Sequence, residues 1–336
     1  MSSIMKVGII GIGRIGKVHG ENIRRSLGHY AQVKAVSDVR RDSIVEWASD
    51  LGIQNVYPDY RTLLEDPEIK AVLICSSTDT HADISVEAAK AGKHIFCEKP
   101  VDLTVEKINA VRSAVESSNV KFQVGFNRRF DHNFSKVKEM IGQGKIGHPQ
   151  IIKITSRDPQ PPPIDYIKVS GGMFLDMSIH DFDMARYLTG SEVIEVYASG
   201  AAADPAIGLA GDVDTAVIML KFENGAIGVI DNSRRAVYGY DQRVEVFGSA
   251  GCIEVHNDTQ SSAVLSNADG VISENPKYFF MERYKESFIE EMKAFFEAIL
   301  HDQPTPVTGM DGLKPVIIGL AAKKSCVEGR PVVIEP

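Results

Sequence analysis

Val7-Gly8-Ile9-Ile10-Gly11-Ile12-Gly13-Arg14-Ile15-Gly16 is the stretch on which the fold turns. Val7 to Ile10 is a short apolar run, as a strand buried on both faces requires. Glycines at 11, 13 and 16 follow at once, and a helical stretch from Lys17 to Ser26 comes next. Val33-Lys34-Ala35-Val36-Ser37 reads as a second strand and ends at Asp38. Strand, glycine loop, helix, strand and acid, in that order, are the parts of a dinucleotide-binding unit. The first glycine makes the tight turn, the second lets backbone approach a pyrophosphate, and the third lets helix pack on strand. Asp38 stands where an acid binds the adenosine ribose hydroxyls. The bland alternative is a glycine-rich turn in an unrelated α/β domain.

Working outward, Trp47 to Leu51 and Tyr60 to Leu64 look helical, and Ala71 to Cys75 is a buried strand ending in Ser76-Ser77-Thr78. Small polar residues at a strand's carboxyl end face the cofactor crevice or simply make a turn. His81 opens a helix over 82–91 that Gly92 closes. His94 to Cys97 is the next strand, followed by Glu98-Lys99-Pro100. A helix over 104–116 and a strand over 122–126 complete the alternation, which implies a doubly wound parallel sheet. Lys99, at a strand end, is either a solvated charge or an ammonium placed to stabilise a developing alkoxide.

The βα rhythm stops near Phe126. Beyond the crossover at Asn127 to Asp131 come a helix over 134–143, a strand over 151–157 and a helix over 173–188. Strands then follow at 193–200, 215–222, 226–232, 243–247 and 252–256, with Asn224-Gly225 as a hairpin turn between two of them. The expected architecture is α/β followed by α+β. A Rossmann sheet spans 1–126. An open, mostly antiparallel sheet with helices on one face spans 127–336. Ile218, Leu220, Ile227, Val229 and Val246 suggest that its open face is a subunit interface. A long amphipathic helix over 283–300, a helix over 311–327 and a short tail strand finish the chain.

Asp176 and His180 stand four apart in the 173–188 helix and share a face. An imidazole beside a carboxylate can move a proton near neutral pH. The pair also reads as a satisfied core histidine, or as two metal ligands. Asp181 and Asp183 point away, so a metal would lack its further ligands, and none is expected. Before this helix, the loop from Asp158 to Tyr166 carries four prolines, which stiffen it. It serves either as the wall of a site or as a rigid connection. Tyr238-Gly239-Tyr240-Asp241 offers phenols and a carboxylate to a polyol, or is a bare hairpin tip.

A net charge of -8 disfavours tracking nucleic-acid phosphates, and no apolar run is long enough to span a bilayer. Met1 to Lys6 lacks a leader layout. Cys75, Cys97, Cys252 and Cys326 show no metal spacing and read as reduced thiols of a cytoplasmic protein.

Gly11 to Gly16, Glu98-Lys99-Pro100 and the downstream Asp176 with His180 together resemble the oxidoreductases grouped with glucose–fructose oxidoreductase and inositol dehydrogenase, over essentially the whole chain. Gly125 to Asp131, Ser156 to Pro159, Gly171 to Met184 and Tyr238 to Asp241 resemble the inositol-oxidising branch. The resemblance implies NAD(P) in the first domain, with NAD the expected form because Asp38 would face the extra phosphate of NADP; it also implies a small-molecule polyol oxidised above the nicotinamide and a homotetramer packed through the open sheet. It implies Lys99, Asp176 and His180 as catalytic residues. The expected cofactor site is Gly11, Ile12, Gly13, Arg14, Ile15, Gly16, Asp38, Ser76, Ser77, Thr78, His81, Glu98 and Lys99. The expected substrate contacts are Lys99, Arg129, Asp158, Asp176, His180, Tyr238 and Tyr240. Asn127 departs from the apolar residue of some inositol enzymes and leaves the preferred stereoisomer open. A scyllo-inositol or sugar dehydrogenase, a cofactor-binding regulator without turnover and a metal-dependent lyase are the other readings.

Overall fold

The computed structural model describes residues 4–335. The reading of Met1 to Lys6 as lacking a leader touches residues 1–3, which lie outside the described residues. Six parallel strands form the first sheet: β1 (Met5–Ile10), β2 (Ala31–Ser37), β3 (Asn55–Tyr57), β4 (Ile69–Ile74), β5 (His94–Glu98) and β6 (Phe122–Gly125). Their order is β3-β2-β1-β4-β5-β6. The central strands are Val- and Ile-rich and buried on both faces, which a sheet flanked by helices demands. The strand order reverses between β1 and β4, so a crevice opens at their carboxyl ends. The three-residue edge strand β3 was not expected, because so short a run carries no period.

The second sheet has seven strands. They are β7 (Pro149–Arg157), β8 (Val193–Ala201), β9 (Thr215–Phe222), β10 (Ile227–Ser233), β11 (Asp241–Gly248), β12 (Gly251–Val255) and, after a separate two-stranded hairpin of β13 (Val264–Asn267) and β14 (Gly270–Ser273), β15 (Val332–Val333). The order is β12-β11-β7-β10-β9-β8-β15. Within this sheet only β7 and β10 pair in parallel among the described strands. Gly225 takes φ +86° in the β9–β10 turn, a conformation that favours glycine.

Along β9, Ala216, Ile218, Leu220 and Phe222 are buried while Val217 and Met219 are exposed. Of the residues expected on the open face, Ile218, Leu220 and Val246 therefore belong to the core. Val229 is half-buried and Ile227 is exposed. A strand's side-chain period is two, so sequence alone leaves the choice of face open. The helix Ile179–Thr189 packs on the inner face beside β7. Ser325 Oγ, on the helix Gly309–Glu328, accepts the Ala198 N–H of β8 at 2.9 Å.

The chain forms two compact units, Met1–Asn127 with Glu286–Val316, and Arg128–Lys285 with Ile317–Pro336. The long amphipathic helix Lys285–Leu300 thus returns to the nucleotide-type sheet. Met292, Phe295 and Phe296 are fully buried in one cluster with Val7, Ile9, Val36 and Phe96.

Candidate active site

In the first unit the glycine loop is shaped by what it excludes. Gly11 has φ +87°, and a Cβ there would fall 2.4 Å from the Ser76 backbone. A Cβ on Gly16 would lie 2.1 Å from the Gly11 carbonyl oxygen, whereas nothing stands within 4 Å of one on Gly13. The helix Arg14–Ser26 begins directly after Gly13 with no side-chain cap and no acid in its first turn. Its first N–H groups and the positive end of its dipole therefore suit an anion. Asp38 is buried at the end of β2. Its Oδ2 accepts the Ile12 N–H and its Oδ1 the Arg40 N–H, both at 2.8 Å. The carboxylate holds the loop, and its remaining lone pairs can take ribose hydroxyls.

A cleft of about 940 Å³ is lined by Gly11, Asp38, Arg40, Tyr60, Ser77 and Thr80. The missing side chains, the uncapped helix start and the acid fit a dinucleotide. Beside it, Ser77 precedes the helix Thr78–Lys90, and Ser76 Oγ lies 2.7 Å from Thr80 Oγ1. His81 is buried. Its Nδ1 lies 2.8 Å from the Pro100 carbonyl and its Nε2 3.0 Å from the Ser76 carbonyl. This ring fixes the chain after β4 and after β5, a supporting place at the cofactor site. Glu98 faces inward, 2.8 Å from His19 Nε2, and Lys99 beside it is half-buried.

In the second unit the helix expected over 173–188 is interrupted. Met173–Met177 makes one wide π turn, closed by the Ser178 N–H on the Met173 carbonyl at 2.9 Å, and Ile179–Thr189 continues as α-helix. Such turns are frequent at functional sites. Asp212 accepts the Met173 N–H on both oxygens at 3.0 Å and anchors the turn. From residue 172 to 186 every position is buried except Asp176 and His180, which are half-buried. Two polar side chains alone reach the surface of an otherwise dry run.

Asp176 is held on both oxygens. Tyr166 OH donates to Oδ1 at 3.0 Å, and Arg234 Nη2 donates to Oδ2 at 3.3 Å. Arg234 is 1 % exposed, so water screens its charge from its neighbours less than it would at the surface. Burial pushes the half-buried Asp158 carboxyl up to about 6; Arg234 and Arg128 oppose that shift, and Asp176 and Asp181 add to it. Three carboxyls and two guanidiniums thus share this end of β7 and β10.

Beneath them lies a buried network. Arg128 Nη1 donates to Asp181 Oδ1 at 2.6 Å, and its Nη2 reaches Ser156 Oγ at 3.2 Å and Tyr240 OH at 3.3 Å. Asn232 Nδ2 donates to Asp181 Oδ2 at 2.8 Å and Ser178 Oγ donates to Asn232 Oδ1 at 2.6 Å. Arg129 is held in a two-bond pair with Asp183, at 2.9 and 2.6 Å, over the Tyr187 ring. Of the two tyrosines, Tyr240 is buried in the network, and burial holds its phenol well above the usual range. Tyr238 is exposed and donates to Asp241 Oδ2 at 2.7 Å.

Asp158 and Asp176 are therefore gathered at one end of the second sheet, with His180 half-buried on the helix that follows, while Arg129 and Tyr240 have buried polar partners. The sequence reading missed Arg234, Tyr166, Asn232 and Ser178. The only signal for Arg234 was a charged pair, Arg234-Arg235, directly after β10. Nothing in that pair tells which arginine is buried.

Comparison with known proteins gives the family. Residues 5–126 match an oxidoreductase family described as having an NAD-binding Rossmann fold, and residues 134–254 match the GFO/IDH/MocA C-terminal domain. The chain is 51% identical to myo-inositol 2-dehydrogenase of Thermotoga maritima over 98% of its own length and 99% of that protein. It is 43% identical to inositol 2-dehydrogenase of Rhizobium meliloti over 98% and 99%. The solved structure of scyllo-inositol dehydrogenase from Lactobacillus casei with bound NAD(H) and scyllo-inositol superposes with a TM-score of 0.92 at 32% identity, covering 99% of each chain.

Proposed function

This chain belongs to the GFO/IDH/MocA oxidoreductase family, and from that premise we propose that it oxidises myo-inositol at C2 to the 2-keto product, scyllo-inosose, with formation of NADH. The observation that carries the reading is the run from 172 to 186, buried except at Asp176 and His180, with Asp176 held by Tyr166 and Arg234.

The loop from Gly11 to Gly16 and Asp38 would hold the pyrophosphate and ribose of NAD, with Ser76, Ser77, Thr78, His81 and Glu98 shaping the crevice, and the bound cofactor would supply the hydride acceptor for the carbinol carbon. His180, whose Nδ1 is buried, takes the hydroxyl proton on Nε2. Asp176, Asp158 and Tyr238 bind neighbouring hydroxyls. Lys99 stabilises the negative charge that develops on oxygen. General-base help of this kind is worth roughly 10²–10⁴ in rate. Asp38 favours NAD over NADP because it would meet the extra phosphate, with Arg40 and Arg41 offsetting part of that repulsion.

The outer face of the second sheet supports a homotetramer. Tyr197, Val217, Met219, Ile227 and Phe247 are exposed on it, and an apolar face of that kind is best covered by another copy. The four free cysteines, two of them buried, support a reducing cytoplasm, and a role in inositol breakdown follows from the reaction. Among the described residues no helix is long and apolar enough to cross a membrane.

A substrate panel scored by NADH absorbance tests the reading. Myo-inositol with NAD should give the highest kcat/KM, in chelator as without it. A higher value for scyllo-inositol, the ligand of the Lactobacillus casei relative, would move the assignment to that isomer. Absence of NADH with every polyol would overturn it.

A further inference from the structure

Beside Glu98 the first unit buries two polar side chains that the reaction above does not use. His19, on the helix Arg14–Ser26 that leaves the glycine loop, and Glu291, on the helix Lys285–Leu300, are both 0 % exposed. His19 Nε2 lies 2.8 Å from Glu98 Oε1. One ligating atom each from His19, Glu98 and Glu291 all lie within 4.8 Å of one another. Gln123 Nε2 donates to the Glu291 backbone carbonyl at 2.7 Å, yet neither carboxyl oxygen of Glu291 has a hydrogen-bond partner among the described residues. The walls are Phe96 and Phe288, edge-on to His19 at 5.2 and 5.9 Å, with the buried Cys75 thiol nearby. No lysine or arginine faces Glu291 among the described ion pairs.

Two carboxylates this close in a dry site cannot both ionise. We propose that Glu291 is a neutral carboxylic acid whose hydroxyl faces Glu98, and that with His19 it positions the Glu98-Lys99-Pro100 turn relative to the glycine loop. Glu98 then accepts two donors, the ring N–H of His19 and the O–H of Glu291. Burial, and then the neighbouring Glu98, raise the Glu291 carboxyl well above its ordinary range, in agreement with the geometry.

A divalent cation is the competing occupant. Zinc bonds of about 2.0–2.2 Å at a tetrahedral angle would hold nitrogen and oxygen roughly 3.3 Å apart, whereas 2.8 Å is a hydrogen-bond distance. The consequence for the enzyme is mechanical. Lys99 follows Glu98 directly, and His19 lies in the second turn of the helix that begins at the cofactor loop. Glu98, His19 and Glu291 are thus positioning residues that act through Lys99 and the loop, and this role rests on the reading of Lys99 given above.

The test compares the full-length wild type with Glu291→Gln and Glu291→Ala. A neutral Glu291 keeps a proton that the unfolded chain releases above about pH 4.3. The wild type therefore loses stability as pH rises from there toward the folded-state value, while glutamine does not titrate. The melting temperature of Glu291→Gln minus that of wild type should climb between pH 5 and pH 9; a flat difference would overturn the neutral acid. Glu291→Gln should keep kcat within about threefold, and Glu291→Ala should lose about 10- to 100-fold, the scale of an ångström's misplacement. Wild-type kcat in Glu291→Ala would overturn the positioning role. Should that variant not fold, Glu291→Asp, which keeps the acid but draws it back from Glu98, replaces it with the same expectation. Stoichiometric zinc or manganese in the purified protein would overturn the proton in favour of a metal. If the wild type turns over no polyol, the dehydrogenase reading fails by itself. The melting series then still decides the acid, and NAD affinity replaces kcat as the measure of position.

Discussion

His180 and Asp176 are set apart by exposure within a buried run, and Asp176 by the company it keeps. A carboxylate gripped by a phenol and a buried guanidinium stays in one place, which a residue orienting a hydroxyl must do. His180→Ala should lower kcat by about 10²–10⁴ while NAD affinity is retained, because the glycine loop and Asp38 lie in the other unit. Near-native turnover at neutral pH would show that the base is elsewhere. Asp158 gives an independent measurement. Its carboxyl is pushed up to about 6 by burial, so the folded protein holds a proton there that the unfolded chain, with an ordinary value near 3.9, has released. Wild-type stability should therefore fall as pH rises from about 4 to 6. The melting temperature of Asp158→Asn minus wild type should grow over that window and level off above it. A difference that shrinks with pH would mean that Arg234 and Arg128, not burial, dominate this carboxyl.

Among the elements, the glycine loop separates two kinds of glycine. Gly16→Ala drives a methyl against the Gly11 carbonyl and should lower both the melting temperature and NAD affinity. Gly13→Ala meets no protein atom, so the apo protein should melt near the wild-type temperature while NAD binds more weakly, as calorimetric titration would read. This loop was legible in the sequence because all its parts lie between Val7 and Asp38. The run from 172 to 186 was legible as a helix with a chemical face, but its wide turn was not, since nothing in Met173 to Met177 departs from a helical period of apolar residues. The Arg128–Asp181 and Arg129–Asp183 pairs were invisible for another reason. Each joins residues more than fifty positions apart, and a sequence shows the charges without showing which of them meet. The fate of the Lys285–Leu300 helix was hidden likewise, because an amphipathic stripe says that a core exists and not which sheet supplies it. Phe295→Ala, in the middle of that stripe, should cost about 3–5 kcal/mol in denaturant unfolding.

For the whole molecule, alternation along β9 leaves Val217 and Met219 on a surface shared with Tyr197, Ile227 and Phe247. Under the proposed homotetramer, Met219→Glu should shift the mass measured by light scattering from that of four chains toward smaller species, with the fold unchanged by circular dichroism. An unaltered mass would place the subunit contacts elsewhere. The return of the Lys285–Leu300 helix to the first sheet also has a consequence in time. A ribosome delivers all of β1 to β6 before it begins the second unit, yet Met292, Phe295 and Phe296 complete the core of the first. All of Arg128–Lys285 must be made in between, roughly eight to thirty seconds at ~5–20 residues per second. During that interval the nascent nucleotide-binding sheet waits with part of its apolar surface uncovered. The enzyme's most recognisable module is thus among the last to be finished, and a fragment ending at residue 127 would carry the signature of a cofactor site without the core that keeps it soluble.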